Sequence, residues 1–169
     1  MRHNVRKLWG VVLVLCLLLP TAAGAAAIGP EQIGARAALA DGNLTLTKML
    51  TYALQDEYLA RAEYRVVMET FGDRRPFSNI IQAEDQHIAM LTPLLNQYGV
   101  PLPTDAYTFS APDTFQAALQ AGVQAEKENI AMYELFLRQE LPVPVRQVFT
   151  HLRDASYNHL GAFERNLGK

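Results

Sequence analysis

The chain has 169 residues, half of them apolar, with 15 Lys or Arg against 17 Asp or Glu. That supports one domain with a real core but not comfortably two. A slightly acidic balance without a basic stripe argues against a nucleic-acid partner.

The N-terminus reads as a segment to be removed. Arg2, Arg6 and Lys7 make a positive start, Leu8 to Leu19 is almost unbroken apolar sequence, and Pro20 ends it. Small residues from Ala22 to Ala27 then offer cleavage points, so residues 1–27 are expected to be a secretory signal peptide. The apolar run is too short to span a bilayer, which takes roughly 20 residues. The protein is therefore expected to be exported, periplasmic or secreted, without a membrane span after cleavage. Leu15 before Cys16 is too large for a lipoprotein signal. Loss of Cys16 removes the one cysteine, and with it thiol catalysis, thiolate zinc sites, iron–sulfur clusters and disulfides. It also removes three basic residues and no acidic ones, leaving 12 against 17 and a net charge of −5. Residues 28–43, rich in Gly, Ala and Asp, read as a loose leader without periodicity.

Residues 44–168 carry helical periodicity throughout. The first helix is expected from Leu46 to Phe71, stopping at Gly72, with the stripe Leu50, Leu54 or Ala53, Glu57, Arg61, Tyr64, Met68 and Phe71. The second is expected from Phe77 to Tyr98, with Ile80, Glu84, His87, Leu91, Leu94 and Tyr98 inward and Gly99 as its cap. The third opens at Pro112–Asp113 and continues to Leu141, presenting Phe115, Leu119, Gly122, Glu126, Asn129, Tyr133 and Phe136. The fourth runs from Val145 to Leu167, with Val148, Leu152, Ser156, His159 and Phe163 inward. No alternation of the kind a strand needs competes. The first and third connections are short and the second is long. Two hairpins joined by one long crossover between helices two and three make a ferritin-like four-helix bundle the expected fold.

Each apolar stripe is interrupted near its middle by groups that ligate metals. Glu84 and His87 lie three apart, about 60° from each other and one turn apart on one helix face, so both reach one centre. No basic residue stands three or four positions from Glu84, and none answers Glu126. Glu57 has Arg61 at i+4, which leaves a plain helix salt bridge open as its explanation. A buried lone carboxylate costs many kcal/mol unless it is paired, protonated or bound to a cation. Glu57, Glu84 and Glu126 converging with neutral His87 and His159 would suit one or two divalent ions, and a single ion would leave a charge that Arg61 could offset.

At these positions the chain resembles the ferritin-like superfamily, particularly rubrerythrin- and bacterioferritin-like proteins, and most closely the ferritin-like family designated domain of unknown function 2202. The segments that carry the likeness are Ala53–Arg61, Pro76–Ile88, Gly122–Glu126 and Ala155–Leu160. The superfamily pattern supplies one Glu from each of two helices and a Glu-x-x-His from each of the other two. Here the last motif reads Ser156-x-x-His159, one carboxylate short, so the resemblance implies an asymmetric pair or a single metal rather than a symmetric centre. Asn129 could contribute a carbonyl oxygen or hold a metal-bound water.

The resemblance implies an iron site (Fe²⁺/Fe³⁺, one or two ions, with manganese or zinc also suited) that meets O₂ or peroxide as a non-haem oxidoreductase. Its expected ligands are Glu57, Glu84, His87, Glu126 and His159, with Asn129, Ser156 and Arg61 around them. Metal sequestration or storage without turnover and a metal-free interaction bundle are the competing readings. Metal ions or a small oxidant are the expected partners, and a homodimer stays open. Tyr64 and Tyr133 read as packing residues with hydrogen-bonded hydroxyls, Met49, Met68, Met90 and Met132 as core filler, and His151 as peripheral.

Overall fold

The computed structural model describes residues 33–168, and the expected signal peptide with Cys16 lies outside them. The described chain is helical: α1 Gly34–Ala40, α2 Leu46–Phe71, α3 Phe77–Gln97, α4 Phe115–Leu137 and α5 Val143–Leu167. Among the described residues there are no strands. No described helix is long and apolar enough to cross a membrane.

Local chemistry sets the ends. The Thr45 hydroxyl accepts the Lys48 N–H at the start of α2, and Gly72, at φ 82°, ends it. Thr114 caps α4 in the same way by accepting the Ala117 N–H. That cap corrects the expected start at Pro112–Asp113, which stand before the helix. α4 also stops at Leu137, short of the expected Leu141. There the Arg146 guanidinium donates to the carbonyls of Leu137 and Gln139, satisfying the helix end from α5. α5 starts at Val143, slightly before the expected Val145, with Pro144 in its first turn.

α1 was not legible as a helix: residues 28–43 read as a loose leader, yet Gly34–Ala40 folds and buries Ala35 and Ala38. Its flanking residue Ile33 supplies no side-chain cap. The caps come from α2 instead, where Asp56 accepts the Ala35 N–H at 2.7 Å and Gln55 accepts the Gly34 N–H at 3.3 Å. Gly34 sits at φ 60°, and a Cβ there would lie 2.5 Å from Asp56 Oδ1. Only glycine tolerates both the left-handed backbone and that approach.

The buried side chains form two apolar clusters. One contains Leu50, Leu54, Leu91, Leu95, Met132, Phe136, Phe149 and Leu152. The other contains Tyr64, Val67, Phe77, Ile80, Ala118, Leu119 and Phe163. Reading the residue numbers along each helix gives its direction: α2 and α5 run from the first cluster to the second, α3 and α4 from the second to the first. α2 packs on α3, α4 on α5, α2 on α4 and α3 on α5, with α1 laid against α2 and α4. Because α3 ends and α4 begins at opposite ends, residues 98–114 travel the length of the molecule. Each of α2 to α5 passes from one cluster to the other through a short polar stretch, and those four stretches meet.

Candidate metal centre

Glu57, Glu84, His87, Glu126, Ser156 and His159 occupy that shared layer, each at most 9% exposed. The stripes carry them there: Glu57 follows Ala53 and Leu54 by one turn, and Glu126 follows Gly122 by one turn. Gly122 allows α4 to approach α5 closely, since a Cβ would stand 2.5 Å from the Phe163 ring.

His87 Nδ1 lies 3.0 Å from Glu57 Oε2 and 3.0 Å from Glu84 Oε2. His159 Nδ1 lies 3.4 Å from Glu84 Oε1 and 3.4 Å from Glu126 Oε1. Two donor groups result, Glu57–Glu84–His87 and Glu84–Glu126–His159, each with its oxygen and nitrogen atoms within 4.8 Å of one another. Glu84 belongs to both, one oxygen to each. The two imidazoles stack at 5.7 Å between ring centroids.

Tyrosines tie down two of the carboxylates, at the Glu57 oxygen turned away from His87 and at the Glu126 oxygen that also faces His159. The Tyr133 hydroxyl donates to Glu57 Oε1 at 2.7 Å and the Tyr64 hydroxyl to Glu126 Oε1 at 2.9 Å. Burial, reinforced by the neighbouring carboxylates, pushes both phenols well above their ordinary range, so they stay protonated and act as donors. Two residues read from sequence as packing thus also orient the acids.

Without a cation the cluster balances itself with protons. Burial opposes charge on His87, but hydrogen bonds and attraction from Glu57 and Glu84 outweigh it and raise the imidazole to about 10. Burial likewise opposes the Glu57 anion, and the contacts with His87 overcome it, lowering Glu57 to about 2. Glu84 moves the other way: burial and then the Glu57 charge push it well above the usual carboxylate range. The layer therefore holds an imidazolium–carboxylate pair beside a protonated acid. A divalent ion would displace those protons.

Arg61 does not take the place expected of it. Its guanidinium bridges Asp85, at 3.1 Å, and Asp105, so it anchors the crossover to α2 and α3 rather than offsetting the centre. Glu57 points inward to His87 and Tyr133, and the i+4 salt bridge left open from sequence does not form. Asn129 is also differently engaged: its amide donates to Asp56 at 2.8 Å and its carbonyl accepts the Ser156 hydroxyl at 2.6 Å. His151 is exposed, with its ring centroid 6.4 Å from that of His87.

Asp56 was missed. Burial raises it to about 7 against the hydrogen bonds from Ala35 and Asn129. Its neighbours in sequence, Gln55 and Glu57, gave no hint, because its partners lie 21 and 73 positions away.

No protein-family model and no curated protein matches the chain. Among solved structures it is similar in fold to a hypothetical protein from Methanococcus jannaschii DSM 2661, with a TM-score of 0.66 and 24% identity. The likeness covers 76% of this chain and 83% of that one. It is a likeness of fold alone. The helical architecture is shared, and the buried Glu/His groups that could hold a metal ion are read from this chain's own side chains.

Proposed function

We propose that the protein is a ferritin-like, carboxylate–histidine metal protein of the cell envelope that takes up to two iron or manganese ions. The observation that carries this reading is the division of Glu84: its two oxygens face two separate Glu/His groups, as a bridging ligand requires. Three acids and two imidazoles in a buried layer also match the oxygen- and nitrogen-rich donor set these ions prefer. The ferritin-like assignment is supported by helix order, with two antiparallel hairpins joined by residues 98–114 and the Glu-x-x-His of α3 at mid-depth.

In this reading Glu57, Glu84 and His87 would hold one ion, and Glu84, Glu126 and His159 would hold the other. A bound iron or manganese ion would supply one-electron chemistry toward O₂ or peroxide. Tyr133 and Tyr64 fix the carboxylate orientations, the role outer partners play around metal ligands. The two apolar clusters above and below keep bulk water from the layer. Ser156 stands where the superfamily has a second Glu-x-x-His carboxylate, so one face of the centre is left without an anionic protein ligand.

Elemental analysis of protein from its native compartment, with Glu84→Ala as the comparison, tests the reading. Retention of iron or manganese by the native protein and its loss from E84A is the expected result. Full metal content in E84A, or none in the native protein, would overturn it. Faster consumption of peroxide or O₂ than free Fe²⁺ gives separately decides turnover.

A further inference from the structure

Two cavities lie end to end beside the centre. The outer one, of about 210 Å³, opens between α1, α2 and α4 and is lined by Ala35, Glu63, Glu128 and others. The inner one, of about 20 Å³, is bordered by Tyr64, Glu84, Glu126, Asn129 and Ser156. They share one wall, made of Asp56, Ala60 and Ala125. From these we infer that a divalent cation reaches the centre between α2 and α4, through the gap that Ala60 and Ala125 leave beside Asp56. This rests on the metal-centre reading and adds the way in.

Size and charge both support the direction. The outer cavity has room for several waters and the inner one for about one, so an ion arrives hydrated and exchanges water for carboxylate oxygens at the wall. Acids mark the whole path, with Glu63 and Glu128 outside, Asp56 at the wall, and Glu84 and Glu126 within. Arg36, the basic residue of the outer cavity, is paired with Glu128 at 2.8 Å. Asp56 is held on both sides, by the Ala35 N–H and the Asn129 amide. The remaining width of the wall is two methyl groups, and any larger side chain there narrows it. α1, through Ala35 and Arg36, and its flanking residue Ile33 form the roof of the outer cavity.

The test follows Co²⁺ uptake by metal-free protein, using stopped-flow visible absorbance and the final bound stoichiometry. Ala60→Leu and Ala125→Leu are both at partly exposed positions, and each is expected to slow loading at least tenfold with the final stoichiometry unchanged. His151→Phe, between α3 and α5 on the opposite face, is expected to load at the native rate. Native-rate loading in both leucine variants, slowing by H151F instead, or a changed stoichiometry would each overturn the route. If circular dichroism shows that a leucine variant has not folded, Ala60→Val and Ala125→Val decide by the same criteria. Native protein that binds no Co²⁺ at equilibrium would bring down the metal reading itself, a result distinct from uptake at an unaltered rate.

Discussion

Tyr133 donates its hydroxyl hydrogen to Glu57 Oε1, which leaves Oε2 of the same carboxylate facing His87. One buried phenol thereby decides which oxygen is presented to the centre. Tyr133→Phe keeps the ring and frees the carboxylate. Metal affinity is expected to fall about 10-fold or more, the usual loss when an outer partner is removed. Stability should fall by about 1–3 kcal/mol, because Glu57 Oε1 is left buried without its donor. Isothermal titration with Mn²⁺ and chemical denaturation read the two effects, and an unchanged affinity in Y133F would count against the orienting role.

The shared position of Glu84 makes the acids unequal. Glu84→Ala disturbs both donor groups, whereas Glu126→Ala leaves Glu57, Glu84 and His87 together. E126A is expected to retain one of two equivalents of Co²⁺ or Mn²⁺, and E84A neither. Equal losses in the two variants would contradict the bridging arrangement.

The pH dependence follows from the proton-balanced layer. His87 is raised from 6.5 to about 10 in the folded protein. Its contribution to metal-free stability is thus fully present below pH 6.5 and is lost as pH rises through about 10. Metal binding has the opposite sign, since a cation needs the free imidazole nitrogen and the ionised Glu84 carboxylate. Affinity for Mn²⁺ should rise between pH 6 and 9, by about tenfold per pH unit for each proton displaced. The gap in Tm between loaded and chelated protein should widen over the same range. A gap that narrows with pH would exclude proton displacement at this layer.

Ser156→Glu turns the Ser156-x-x-His159 spacing into the Glu-x-x-His of the proposed ferritin-like reading. In the metal-free protein a fourth acid beside Glu84 and Glu126 is expected to cost on the order of several kcal/mol. With metal present that acid becomes a ligand, so S156E should gain more Tm from Mn²⁺ than the native chain does. Parallel thermal melts with and without metal make the comparison, and an equal gain would argue that Ser156 does not face the cations.

Much of this was legible from residue spacing. Ends such as Leu46, Phe71 and Leu167 follow from a 3.6-residue apolar period, closed after Phe71 by Gly72 and after Leu167 by Gly168, which is local information. The convergence of Glu57, Glu84, His87, Glu126 and His159 was legible because each interrupts an otherwise apolar stripe at mid-helix. What escaped was decided by partners far away in the chain. α1 is capped from residues 55 and 56 rather than from its own flank. Arg61 sits one turn from Glu57, yet its guanidinium turns outward to Asp105, 44 positions away on the crossover. Asn129 offers a carbonyl in sequence, but that carbonyl is taken by Ser156. Helix spacing fixes which face a side chain leaves from, and long side chains then choose among neighbours that only the fold assembles.

The two donor groups differ in how much of the chain each needs. Glu57, Glu84 and His87 all come from the α2–α3 hairpin, a single stretch between residues 46 and 97. Glu126 and His159 come from the other hairpin and meet Glu84 only after the two halves dock. An ion in the first group is a rivet within one half, whereas an ion in the second is a clasp across the seam. Filling them separately would therefore change the mechanics of the molecule in different ways, stiffening a hairpin in one case and locking its halves together in the other.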